Sequence, residues 1–213
     1  MGNLNETPSA NRLHIGIYGK TNSGKSSLIN AVTKQEVSIV ADVAGTTTDP
    51  VYKPMEIHPL GPCVIIDTAG FDDDSELGER RVEKTHLAAE KTDIAVVVLD
   101  IAEVIAAKKA GVPFKKAFKD EAEWSLLFAK KHTPVVFALN KIDEILLSAE
   151  AQEKSSGKLD NAAIEAAKCW VFEENSAVMG KNADNSFEVV AVSALKGKGM
   201  DAVISALTRL LPE

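Results

Sequence analysis

Five short runs of the chain are apolar with almost no polar break: residues 14–18, 63–66, 95–99, 135–139 and 189–192. A strand with one face in water alternates, whereas a strand covered on both faces reads as a continuous run. The runs therefore predict a mostly parallel sheet with helices on each side. Val51–Ile57 behaves differently. It alternates in polarity and contains Pro54, which cannot donate to a ladder in mid-sheet, so it is assigned to an antiparallel edge strand. That makes about six strands. Helical patterns fall between them over 26–32, 78–90 and 120–131, the last with Trp124, Leu127 and Phe128 at helical spacing. A final helix carries Val203, Ile204, Leu207, Leu210 and Leu211 on one face. Two stretches, 101–119 and 144–186, exceed what a minimal domain of this pattern needs. The second holds a helix predicted over 161–172, between polar loops at 155–157 and 182–186. Residues 1–11 are polar and read as a flexible lead into one domain over 12–213.

The junctions between these runs and helices carry the candidate chemistry. Gly19-Lys20-Thr21-Asn22-Ser23-Gly24-Lys25-Ser26 follows the first run and opens the first helix. Glycine at both ends lets the backbone curl so that successive N–H groups face a phosphate beside a helix N-terminus. Asn22, Ser23, Gly24, Lys25, Ser26 and Ser27 are the expected phosphate contacts. Lys25 would bridge β- and γ-oxygens, and Ser26 would offer its hydroxyl to Mg²⁺. Asp67-Thr68-Ala69-Gly70 ends the second run, with Asp67 as a further Mg²⁺ ligand and the Gly70 amide near the γ-phosphate. Thr47 is the chosen Mg²⁺ ligand of the first switch, with Thr46 and Thr48 as competitors. Asn140-Lys141-Ile142-Asp143 follows the fourth run. There the Asp143 carboxylate would accept from guanine N1–H and the 2-amino group, which adenine cannot match. Ser193, Ala194 and Leu195 would complete the base pocket through backbone groups. Four motifs in this order point to a three-layer, Ras-like P-loop fold that binds GTP or GDP and hydrolyses GTP slowly. Lys25, Thr47, Gly70 and Asn22 are the expected catalytic residues. Phe71 stands where many small GTPases place a water-orienting Gln. Glu76 or Glu79 could align water instead, or be a solvated partner of a helix start.

Composition narrows the setting. Among 213 residues, 26% are charged and 5% aromatic, as in an ordinary water-facing domain. Lys and Arg total 24 against 31 Asp and Glu, a net charge of −7, so there is no broad footprint for nucleic acid. Cys63 and Cys169 read as inert thiols of a reducing compartment rather than a disulfide or cluster site. With no membrane-length apolar run, no signal-peptide core, and Glu6 where a myristoylation signal wants Ser or Thr, the expected location is the cytoplasm.

Two resemblances refine this. Asn22 in the phosphate loop, followed by Ala41-Asp42-Val43-Ala44-Gly45-Thr46-Thr47, resembles the cation-dependent GTPases of tRNA modification and ribosome assembly, the TrmE/Era-like group. The resemblance implies a K⁺ held by Asn22 and the carbonyls of Ala41 and Val43, where other GTPases use an arginine. More specifically, Gly45-Thr46-Thr47-Thr48-Asp49-Pro50-Val51, Glu76-Leu77-Gly78 and Arg81-Val82-Glu83-Lys84-Thr85 resemble the GTPase domain of the [FeFe]-hydrogenase maturation family HydF. The likeness runs from about Thr7 to Lys91 and returns at the last two motifs and the final helix. It fades over 101–119 and 144–186. It implies a scaffold or carrier role for a diiron subcluster, exchanges with two radical-SAM maturation enzymes and apo-hydrogenase, and a possible GTPase-domain dimer. On that reading the chain is one domain of a longer protein and holds no Fe–S cluster itself. A GTPase of ribosome assembly or tRNA modification is the alternative, as is a nucleotide-holding switch with negligible turnover.

Overall fold

The computed structural model describes residues 12–33, 51–68, 86–145, 157–179 and 187–211. Six strands form one sheet: β1 (Leu13–Tyr18), β2 (Val51–Ile57), β3 (Gly61–Asp67), β4 (Ile94–Asp100), β5 (Val135–Asn140) and β6 (Phe187–Ala191). Their order is β2-β3-β1-β4-β5-β6. β2 pairs antiparallel with β3 and all other pairs are parallel, so the three-layer α/β architecture expected from the apolar runs is present. Pro54 sits in β2, at the edge of the sheet.

The helices are α1 (Lys25–Thr33), α2 (Ile101–Lys109), α3 (Phe114–Ala117), α4 (Lys119–Lys131), α5 (Gly157–Met179) and α6 (Met200–Arg209). Residues 86–90 and 142–145 are also helical. The parity of the sheet divides the core. In β4, Ile94, Val96 and Val98 join Leu28, Val32, Val203 and Leu207 on the side of α1 and α6. Ala95, Val97 and Leu99 join Phe114, Phe128 and Val171 on the side of α2–α5. Burying both faces of β4 and β5 is what makes their sequences continuous runs.

Differences from expectation lie in the helical layer. α5 extends well past the predicted 161–172, and Gly157, assigned to a loop, is its first residue. The stretch 101–119 contains α2 and α3, neither of them anticipated. Leu210 and Leu211 lie beyond the end of α6, although Leu210 stays buried. The predicted helix 78–90 is described only over 86–90. The predicted lead 1–11 and the loop 182–186 lie outside the described residues.

The two long stretches pack on one another. Lys108 Nζ on α2 donates to the Ala166 carbonyl of α5 at 2.8 Å. The Phe114 N–H at the start of α3 donates to Glu174 Oε2 of α5 at 2.7 Å. Trp170 of α5 lies against Phe114 and Phe118, with ring centroids 6.0 and 6.5 Å away. Among the described residues, no helix is long and apolar enough to cross a membrane.

Candidate functional site

In a parallel sheet the C-terminal strand ends collect on one edge, and ligands bind where connections leave to opposite faces. β1 and β4 are adjacent, with α1 leaving to one face and α2 to the other. The described motifs all lie on that edge. Ile17 stands opposite Asp67, Asp100 opposite Asn140, and Leu139 opposite Ala191. The phosphate loop leaves β1 between the other motif loops.

The loop turns on backbone conformations that favour glycine. Gly24 has φ +95°, and a Cβ there would stand 2.1 Å from Asn140 Nδ2. A Cβ on Gly19 would stand 2.5 Å from the Val98 carbonyl oxygen. Asn22 adopts φ 65°, a left-handed conformation Asn tolerates well. The turn closes by Ser23 N–H donating to the Lys20 carbonyl at 3.2 Å, and α1 begins at Lys25. With no acidic residue in its first turn, that helix end suits an anion. Lys25 is buried, and its Nζ donates to the carbonyls of Gly19 and, at 2.8 Å, Lys20. The ammonium therefore lies within the curl of the loop. Ser26 is exposed and Ser27 half-buried. Ser23 Oγ is buried without a hydrogen-bond partner among the described residues.

Asn140 joins the two halves of the site. Its Nδ2 donates to the Ser23 carbonyl at 2.9 Å, and its Oδ1 accepts from the Ala194 N–H at 3.0 Å. The side chain is 2% exposed. Lys141 takes φ 69°, and the Ile142 N–H donates to the Val192 carbonyl at 3.2 Å, tying this motif to the segment after β6. Ser193 and Lys198 exchange backbone hydrogen bonds, which close the Ala194–Gly197 turn. Ala194, Leu195, Ser27 and Asn30 line a shallow cleft, with Leu195 75% exposed at its rim. Asp143 is half-buried in the helical turn 142–145.

The structure thus gathers Asn22, Ser23, Gly24, Lys25, Ser26, Ser27, Asp67, Asn140, Lys141, Asp143, Ser193, Ala194 and Leu195 along one edge. Ala41, Val43, Thr46, Thr47, Thr48, Gly70, Phe71, Glu76 and Glu79 lie outside the described residues.

Three neighbours of the motifs, and Lys20 at a variable position inside the first one, carry no motif signal of their own. Lys53 of β2 places Nζ 3.3 Å from Asp67 Oδ2. Asp100 caps α2, accepting from the Ala102 N–H at 2.9 Å, and pairs with Lys141 Nζ at 2.6 Å. That hydrogen bond is the main cause raising the Lys141 pKa above the ordinary lysine value. A carboxylate ending an apolar strand was its one sequence signal, shared with Asp67. The third and fourth are Lys20 and Glu121. Burial pushes the Glu121 carboxyl above the usual carboxylate range, against the opposing pull of Lys20.

Comparison with known proteins agrees with this geometry. Residues 14–141 match the family model described as 50S ribosome-binding GTPase. A 65-residue segment, 30% of the chain, is 54% identical to GTPase Der of Mycoplasmopsis pulmonis and covers 15% of that protein. A 92-residue segment, 41% of the chain, is 40% identical to tRNA modification GTPase MnmE of Ehrlichia canis and covers 21% of it. The chain therefore spans a small part of these curated relatives. Among solved structures, a single-substitution variant of Aquifex aeolicus Era bound to GDP·AlF4⁻ aligns with 94% of this chain and 57% of its own, at TM-score 0.60 and 25% identity. The chain belongs to this GTPase family, as a P-loop GTPase domain related to Der, MnmE and Era.

Proposed function

We propose that this edge binds guanine nucleotide with Mg²⁺ and slowly hydrolyses GTP to GDP and phosphate, with K⁺ as activator. The observation carrying the reading is Asn140, one buried amide hydrogen-bonded to both the phosphate loop and the Ala194 turn. A ligand spanning both loops would set its phosphates against the glycine-rich loop and a base against the Ala194 turn. The donor set fits: loop amides, the Lys25 ammonium, the Ser26 hydroxyl and a helix N-terminus suit a polyphosphate. Lys25 would hold β- and γ-oxygens, and Asp143 would accept from the guanine edge. Ser26, Asp67 and Thr47 would hold Mg²⁺, which supplies charge neutralisation on the phosphates. Asn22 with the Ala41 and Val43 carbonyls would hold K⁺, a fixed positive charge beside the scissile bond. The Gly70 amide would sense the γ-phosphate.

The biological setting has two readings. The family match and the MnmE likeness favour a GTPase working on the ribosome or on tRNA. A role in hydrogenase maturation rests on Thr48, where translation-associated relatives usually carry Arg, and on Asp49-Pro50 after it; the net charge of −7 also suits a protein partner better than RNA.

The test is steady-state GTP hydrolysis with Mg²⁺ in KCl and in NaCl at equal ionic strength. Faster turnover in KCl is expected. Tight GTP binding with background turnover in both salts would leave a nucleotide-holding switch instead. Addition of 50S subunits or tRNA, against addition of a radical-SAM maturation enzyme, separates the two settings by which one changes the rate.

A further inference from the structure

Lys20 has two attachments. Its carbonyl accepts from Lys25 Nζ and from the Ser23 N–H, so it fixes both the catalytic lysine and the turn through Asn22. Its side chain leaves the loop for the helical layer. There Nζ donates to the Ala117 carbonyl at 3.4 Å, stands 5.4 Å from the Phe118 ring centre, and lies 3.8 Å from Glu121 Oε2. Glu121 is 1% exposed, and this oxygen has no hydrogen-bond partner among the described residues. It lines a cleft with Thr21, Asn22, Asp100 and Lys141, on the flank of the phosphate loop. A buried carboxylate is costly without a countercharge, and Lys20 is the cation the structure places against it.

We propose that Glu121 is a positioning residue of the nucleotide site: with the Ala117 carbonyl and the Phe118 ring it holds Lys20, and so sets the phosphate loop. Stretch 101–119, which the motifs do not explain, then has a role as the wall against which the loop is braced. This rests on the reading that the loop binds guanine nucleotide.

The test is fluorescent GDP affinity, with Mg²⁺, of the parent chain, Lys20→Met, Glu121→Gln and the double variant, beside the unfolding temperature of each. Each single variant is expected to weaken GDP binding by about tenfold, and the double by no more than the weaker single. Lys20→Arg, which keeps the cation, should recover most of the affinity lost in Lys20→Met. Losses that add, or that merely follow falling unfolding temperatures, overturn the proposal. So does parental affinity in Glu121→Gln while the parent binds GDP well. A parent chain that binds no GDP overturns the nucleotide reading, and this one with it.

Discussion

Gly24 is where the chemistry of the site is least forgiving. Its left-handed φ and the Asn140 amide, which occupies the place a Cβ would take, leave no room for a side chain. Gly24→Ala should lower stability by about 1–3 kcal/mol through backbone strain alone. It should also weaken GDP binding, because the displaced amide would lose the Ser23 carbonyl. Chemical denaturation and GDP titration of the variant check both. On the proposed reading Asp143 accepts from the guanine edge, so Asp143→Asn should move preference from guanine towards xanthine nucleotides; an unchanged preference would put the pocket elsewhere. That Gly24, Asn140 and Asp143 come to one edge was legible in the chain, because the motifs holding them have fixed spacing and each follows an apolar strand run. Lys53 and Glu121 were not legible, and Asp100 only as a carboxylate that ends an apolar strand. They meet their partners only when β2, β4 and α4 are brought to the same edge, and nothing in their local sequence encodes that approach.

The strands were legible for a related reason. Burial on both faces leaves a short, continuous, β-branched-rich run bounded by polar residues, and β4 and β5 are the clearest cases. α3 is the opposite. It has only four residues, and its first N–H is satisfied by Glu174, sixty positions away. No periodicity can form in so short a segment, and its cap is a tertiary contact. Glu174→Ala should therefore cost about 1 kcal/mol, read as a lower denaturation midpoint. The two cysteines give a separate check on layer assignment. Cys63 is fully buried in β3, and burial pushes its thiol up to about 11, whereas Cys169 is exposed on α5. A raised pKa leaves Cys63 protonated through neutral pH. One thiol per chain should react with a disulfide reagent at pH 8, the second only in denaturant; equal rates would contradict the packing of β3.

For the molecule as a whole, the motifs of the nucleotide edge follow four of the six strands, β1, β3, β5 and β6, so ligand binding should stabilise the domain rather than one loop. At a hundredfold excess of GDP over its dissociation constant, linkage predicts about 2.7 kcal/mol of added stability. The unfolding temperature should rise with Mg²⁺ and GDP in the parent and stay unmoved in Lys25→Ala. The Asn140 bridge has a consequence for motion as well. The Ala194 amide is protected by Asn140 Oδ1, and the same side chain is anchored at its other end on Ser23. Loosening the phosphate loop frees that anchor, so the Ala194 proton should exchange with solvent whenever that distant loop opens. Its deuterium uptake would then clock the breathing of the entire edge from a single amide.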